Sequence, residues 1–185
     1  MRRRRMLATA AATTAALAGC TRREVVEILN DENDDGGSDP IHEGYETTAV
    51  EIVTPACARF GPVTAAVADT SDLRYTGLSD TEQLPEYRGM LFVYNRVADR
   101  NFYMREMDFA LDMVYANDEG VITGIQHAPA PGPGEDGSDQ YYPGRGQYVL
   151  ELNRGWTTER DITAGDQLSF AIDGHSVGPK HGDTS

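Results

Sequence analysis

Four side chains able to hold a polar ligand fall close together in the chain: Tyr103, Arg105, Asp108 and Asp112. A tyrosine or arginine beside carboxylates can grip a ligand by stacking and bidentate hydrogen bonding. Two neighbouring carboxylates also perturb one another's pKa, which acid–base chemistry requires. His127 stands just before the Pro- and Gly-rich stretch 128–140, and Tyr141 and Tyr142 close it, so all are expected at the mouth that holds Asp112. The competing expectation makes Asp112 a brace that holds a loop through backbone N–H groups, with Arg105 as its structural ion pair. No Gly-x-Ser-x-Gly elbow, Gly-Lys-Ser/Thr phosphate loop, Cys-x-x-Cys pair or Gly-x-Gly-x-x-Gly helix start accompanies the cluster. A hydrolase would have to rely on Asp108 or Asp112 with His127, and no residue is assigned as catalytic.

Metal and cofactor chemistry find little support. His42, His175 and His181 fall in expected tails, leaving His127 without a spaced partner for a transition metal. Met90, Met104, Met107 and Met113 lie at strand spacing among Leu, Phe and Val and read as core rather than as soft-metal ligands. Cys57, among small residues in Pro55-Ala56-Cys57-Ala58, reads as a buried free thiol. No metal and no cofactor are expected.

The elements that must position these groups are short. Apolar residues alternate or form brief runs between turn signals, which predicts strands over 49–54, 63–69, 90–94, 101–104, 111–116, 121–127, 147–152 and 167–172. Asn117-Asp118-Glu119-Gly120 predicts a β-hairpin, with Gly supplying positive φ. Thr70 or Ser71 caps a short helix near 72–76, a second is expected over 156–161, and 163–166 reads as a turn. The stretch 128–140 carries many Pro and Gly residues and no apolar anchor, so it is a long exposed loop, serving as a lid or as a solvated insertion. The fold class is mainly β: a small barrel or sandwich of about eight short strands with one or two short helices.

Five pieces then fall in order: Arg74-Tyr75-Thr76-Gly77-Leu78, Gly89-Met90-Leu91-Phe92, Phe102-Tyr103-Met104-Arg105, Leu111-Asp112 and Tyr148-Val149-Leu150-Glu151-Leu152. Over roughly 60–172 the chain resembles the domain-of-unknown-function family 192. The resemblance implies a small β-rich fold with short helices and no established activity. The chain departs from the family's pattern at Tyr103, at Glu106-Met107, at Ala110 and at Ser79-Asp80.

The N-terminus carries an address. Arg2 to Arg5, an apolar stretch to Ala18 and Leu17-Ala18-Gly19-Cys20 make residues 1–19 an export signal, twin-arginine-like and ending in a lipobox. The apolar run is shorter than the roughly 20 residues that span a bilayer. Cleavage before Cys20 leaves a cysteine for lipid, and two acyl chains hold a protein at a membrane where one does so only marginally. Residues 20–48, with the acidic stretch 31–40, form a tether. Residues 49–173 form the β-rich domain and 174–185 a polar, frayed tail.

Composition sharpens this picture. In 185 residues there are 16 basic and 30 acidic side chains, a net charge of -14, and only Lys180 among the basic residues is lysine. Loss of 1–19 removes four arginines and no acid, leaving 12 basic against 30 acidic residues, a charge of -18. Acids spread along the whole chain resemble a haloarchaeal-type surface, where molar salt screens repulsion over roughly 3 Å. Nucleic acid is disfavoured as a partner, because no basic face neutralises a run of phosphates. The chain is thus expected on the outer face of the cell membrane, held by lipid on Cys20. There it would be a small-molecule-binding or accessory module with a site at Tyr103, Arg105, Asp108, Asp112, His127 and Tyr142. The alternatives are the hydrolase above and a structural partner of an envelope complex.

Overall fold

Strands dominate the computed structural model, which describes residues 44–79 and 81–179. The export signal 1–19, Cys20, His42, His181 and most of the tether lie outside the described residues. Among those described, eight strands form one sheet that curls into a half-barrel: β1 Thr47–Val53, β2 Arg59–Ala68, β3 Arg88–Tyr103, β4 Leu111–Ala116, β5 Ile122–Ala128, β6 Tyr141–Asn153, β7 Gln167–Ile172 and β8 His175–Val177. The order across the sheet is β5-β4-β6-β3-β2-β1-β7-β8. Every strand pair is antiparallel except β2 with β3, which are joined through helix α1 Ser71–Thr76. The expected mainly β fold with short helices is therefore present.

Local chemistry explains the connections. At the β4–β5 hairpin Gly120 has φ 84°, and Asn117 Oδ1 accepts from the N–H groups of Glu119 and Val121 at 3.0 and 2.8 Å. Thr70 is the N-cap of α1, its hydroxyl accepting from the Leu73 N–H at 3.3 Å. Asp166 holds the turn at 163–166 by accepting from the Thr163 N–H at 2.8 Å. The helix expected over 156–161 shrinks to a 3-10 turn, Thr158–Arg160. Val121 bridges to Gln167, and the Leu168 N–H donates to Gly120 O at 2.8 Å, so the β4–β5 hairpin meets β7 across the curl.

Two features depart from expectation. The strands expected over 90–94 and 101–104 are one, because β3 runs through the polar segment Asn95–Arg100 by means of an irregularity. Between the pairs Val93↔Tyr148 and Ala98↔Gly146, β3 spends five steps where β6 spends two. The expected frayed tail begins with β8, which pairs with β7 through Ala171↔Ser176.

The core occupies both faces of the sheet. One face buries Val50, Ile52, Leu91, Val114, Leu150, Leu152 and Trp156 inside the curl. The other packs Met90, Phe92, Phe102, Met104, Met113 and Tyr115 beneath Leu78 and Leu84 of the β2–β3 crossover. Met90, Met104, Met107 and Met113 are all buried, as their spacing predicts. Every residue of β4 is buried, so a charged group placed there must find its partners within the protein.

Candidate functional site

Strand β4 sets Asp112 between Leu111 and Met113, fully buried, on the face shared with Val114. The β4–β5 register places His127 directly opposite, and its Nδ1 lies 2.6 Å from Asp112 Oδ1. The same oxygen accepts from Arg154 Nη1 at 3.3 Å. Asp112 Oδ2 accepts from the Gly155 N–H at 3.1 Å, the Thr157 N–H at 3.0 Å and the Thr157 hydroxyl at 2.7 Å. Burial works against ionisation, but the hydrogen bonds from Thr157, His127 and Gly155 outweigh it and hold the carboxyl below its ordinary pKa. An ionised Asp112 makes Nδ1 the donor of His127. Asp112 thus braces the chain leaving β6, as the competing expectation has it, although its cation is Arg154 and not Arg105.

Arg105 belongs to a different place. It follows β3, where its guanidinium donates to Tyr75 O at 3.1 Å and pairs with Glu106 at 3.2 Å. Its Cζ stands 4.6 Å from the centre of the Tyr75 ring. Here the end of α1 and the end of β3 enclose a pocket of about 430 Å³. Gly77, Leu78, Phe92 and Phe102 supply apolar surface, while Tyr75, Tyr94 and Tyr103 supply rings that end in hydroxyls. Thr76, Ser79, Asn101 and Ser138 add short polar groups, and Arg74 and Arg105 add positive charge.

The wall around Tyr94 is cationic. Arg74 donates to the carbonyls of Asp69 and Val93, the latter at 2.8 Å, and its Cζ lies 4.8 Å from the Tyr94 ring centre. Arg100 lies 3.3 Å from the same centre and donates to Gly146 O at 3.0 Å and Arg96 O at 2.8 Å. Burial, with Arg74 and Arg96 nearby, lowers the Arg100 pKa; burial raises that of the Tyr94 phenol, which stays protonated. Among the described residues no carboxylate pairs with Arg74, Arg96 or Arg100.

The segment after β5 completes the pocket. Its backbone is tied to the β3–β4 connection, with the Glu106 N–H donating to Asp136 O at 2.7 Å and the Met104 N–H to Gln140 O at 3.1 Å. A Cβ on Gly137 would stand 1.9 Å from Met104 O, so only glycine permits this approach. The stretch is thus a docked wall that brings Ser138 to the pocket.

The expected site therefore divides. Tyr103 and Arg105 line the pocket, and Asp112 and His127 touch each other in the brace. Asp108 is exposed, and Tyr142 pairs across from Phe102, its carbonyl accepting from the Tyr115 hydroxyl at 2.6 Å. Cys57 is corrected in its burial: it is exposed and has φ 64° in a turn after β1, rather than lying buried among small residues.

Three kinds of residue carry no signal of their role in the sequence. Arg74 and Tyr94 were visible only as family motif and as strand, and Arg100 sat in a segment read as a break. Glu151, 4 % exposed, pairs across from Met90 and Met113 in the second core, where burial pushes its carboxyl up to about 8. Its place in Leu150-Glu151-Leu152 reads as an ordinary outward position, and only the cover on both faces reveals otherwise.

The comparisons agree with this architecture. A Sinorhizobium meliloti 1021 protein described as a "putative transcription regulator" is 25 % identical, with a TM-score of 0.62 over 68 % of this chain and 95 % of its own. A protein of unknown function from Novosphingobium aromaticivorans DSM 12444 is 24 % identical and shares the fold, with a TM-score of 0.59 over 68 % of this chain and 86 % of its own. No curated protein matches. Residues 53–170 match the family DUF192, "Uncharacterized ACR", and the chain belongs to that family.

Proposed function

We propose that the chain is a lipid-anchored, outward-facing small-molecule-binding or accessory module whose ligand sits in the Arg74–Arg105 pocket. The observation that carries this reading is the pocket itself: about 430 Å³, with apolar surface, aromatic rings and a few convergent polar groups. Ligand sites have this size and this mixture. The anchor is supported by the export signal and by Leu17-Ala18-Gly19-Cys20. A net charge of -14 speaks against DNA as the ligand, so the description of the Sinorhizobium relative does not carry over.

Thermal-shift screening in molar salt tests the binding half. Stabilisation by at least one class of sugar, amino acid, peptide or organic acid is expected. A flat response to all of them would contradict it. Intact mass of the membrane-extracted protein tests the anchor: a lipid adduct on an N-terminal Cys20 is expected, and an unmodified Cys20 would contradict it. The mature charge of -18 also implies a lower melting temperature after desalting, and equal values in low and molar salt would contradict salt adaptation.

A second reading, hydrolysis, is favoured by one observation: Asp112 and His127 touch at 2.6 Å, the arrangement in which a carboxylate orients a general base. Ester turnover lost in His127→Ala, at unchanged melting temperature, is its test.

A further inference from the structure

We propose that the ligand of this pocket is a small aromatic anion, a ring bearing one carboxylate or phosphate group; this rests on the binding reading above. In a chain with 30 acidic and 16 basic residues, the arithmetic leaves an acid for every arginine. Around the pocket that pairing fails. Arg74, Arg96 and Arg100 have no carboxylate partner among the described residues, and Arg105 has only exposed ones: Glu106 in contact, its side chain 62 % exposed, and Asp136 acting through space. An exposed pair of that kind contributes little and yields readily to a better anion.

The arginines are also fixed in advance. Arg74 is held by two carbonyls and leans on Tyr94, and Arg105 is held by Tyr75 O and lies over the Tyr75 ring. Guanidinium groups so held lose little entropy on binding and present a planar fork matched to carboxylate or phosphate. The acidic remainder of the surface does not cancel this local charge, because low-dielectric walls focus it within the recess.

The rest of the lining calls for a ring. Phe92 and Phe102 meet edge to face at 4.8 Å, forming apolar surface beside the charge. Tyr75 and Tyr103 are 74 % and 52 % exposed at the rim, where a planar ligand can stack against them. A cation would meet unpaired arginines, and a bare inorganic anion would leave the apolar surface uncovered.

The test uses four probes of one shape, benzoate, phenyl phosphate, benzamide and benzamidine, with inorganic phosphate as the ring-free control. Titration of the ¹⁵N-labelled protein at one fixed salt concentration is followed by backbone amide shifts. Benzoate or phenyl phosphate is expected to move the amides of 74–79 and 101–105 and to bind about tenfold or more tighter than benzamide and phosphate. Arg74→Gln is expected to lose about tenfold of that affinity, with Arg105→Gln as the second variant should the first disturb α1. Benzamide or benzamidine binding here as well as benzoate would overturn the anion and leave the pocket reading standing. Silence from all five, with a hit from a neutral compound, would do the same. Silence from every compound screened would remove both.

Discussion

The Asp112 brace and the Arg74–Arg105 pocket hang on the same sheet and use the same kinds of side chain, but they answer charge in opposite ways. Asp112 is fully buried, and each of its oxygens accepts from at least two donors of the protein itself. At the pocket the guanidinium groups find only carbonyls, aromatic faces and the exposed carboxylates of Glu106 and Asp136. A buried charge whose partners are all internal stabilises the fold and leaves no valence for a ligand. Fixed charges that the chain leaves unanswered are where a ligand gains most.

The contrast breaks most easily at Asp112. Asp112→Ala strips the acceptor from the N–H groups of Gly155 and Thr157 and is expected to cost about 3–5 kcal/mol, read by urea unfolding. A loss under about 1 kcal/mol would mean the brace is not structural. Its carboxyl is depressed in the folded state, so its stabilisation is present above the ordinary carboxylate range and is lost as pH falls through the folded pKa.

Glu151 gives the opposite sign. Its folded pKa is raised to about 8, so its stabilising effect is full below the ordinary glutamate range and is lost as pH rises through 8. Wild-type stability should fall by a few kcal/mol across that window, on the order expected for a buried carboxyl, and Glu151→Gln should flatten the fall. A slope unchanged by Glu151→Gln would remove this assignment.

Gly137→Ala sharpens the boundary of the pocket. Its Cβ meets Met104 O and its φ of 74° disfavours alanine, so about 1–3 kcal/mol is expected to be lost, together with ligand affinity as Ser138 moves away. Unchanged binding would show that the 129–140 wall is not part of the site. Asp108→Ala is the smallest change: the side chain is exposed, and both stability and binding should stay within about 0.5 kcal/mol of wild type.

What the sequence made legible follows from range. The Asn117–Gly120 hairpin and the Thr70 cap rest on contacts within four residues, and their residue types announce them. The hairpin's register then sets Asp112 opposite His127, so half of the brace was within reach. The other half was not, because Arg154, Gly155 and Thr157 arrive more than forty residues later, by way of β6. The pocket was hidden for the same reason. Its two sides, 74–79 and 101–105, meet only because β2 and β3 run parallel across the α1 crossover and β3 continues unbroken through Asn95–Arg100. Apolar alternation marks a strand's existence but not its continuation through polar residues, nor which of its faces is covered, and Arg100 and Glu151 were lost on those two counts.

The division of labour between brace and pocket is tested most directly by mapping benzoate, added to the ¹⁵N-labelled protein, residue by residue. Shifts confined to the backbone amides of 74–79 and 101–105, with Gly155 and Thr157 unmoved, are the predicted result. Shifts centred on Asp112, His127 and 154–157 would contradict it.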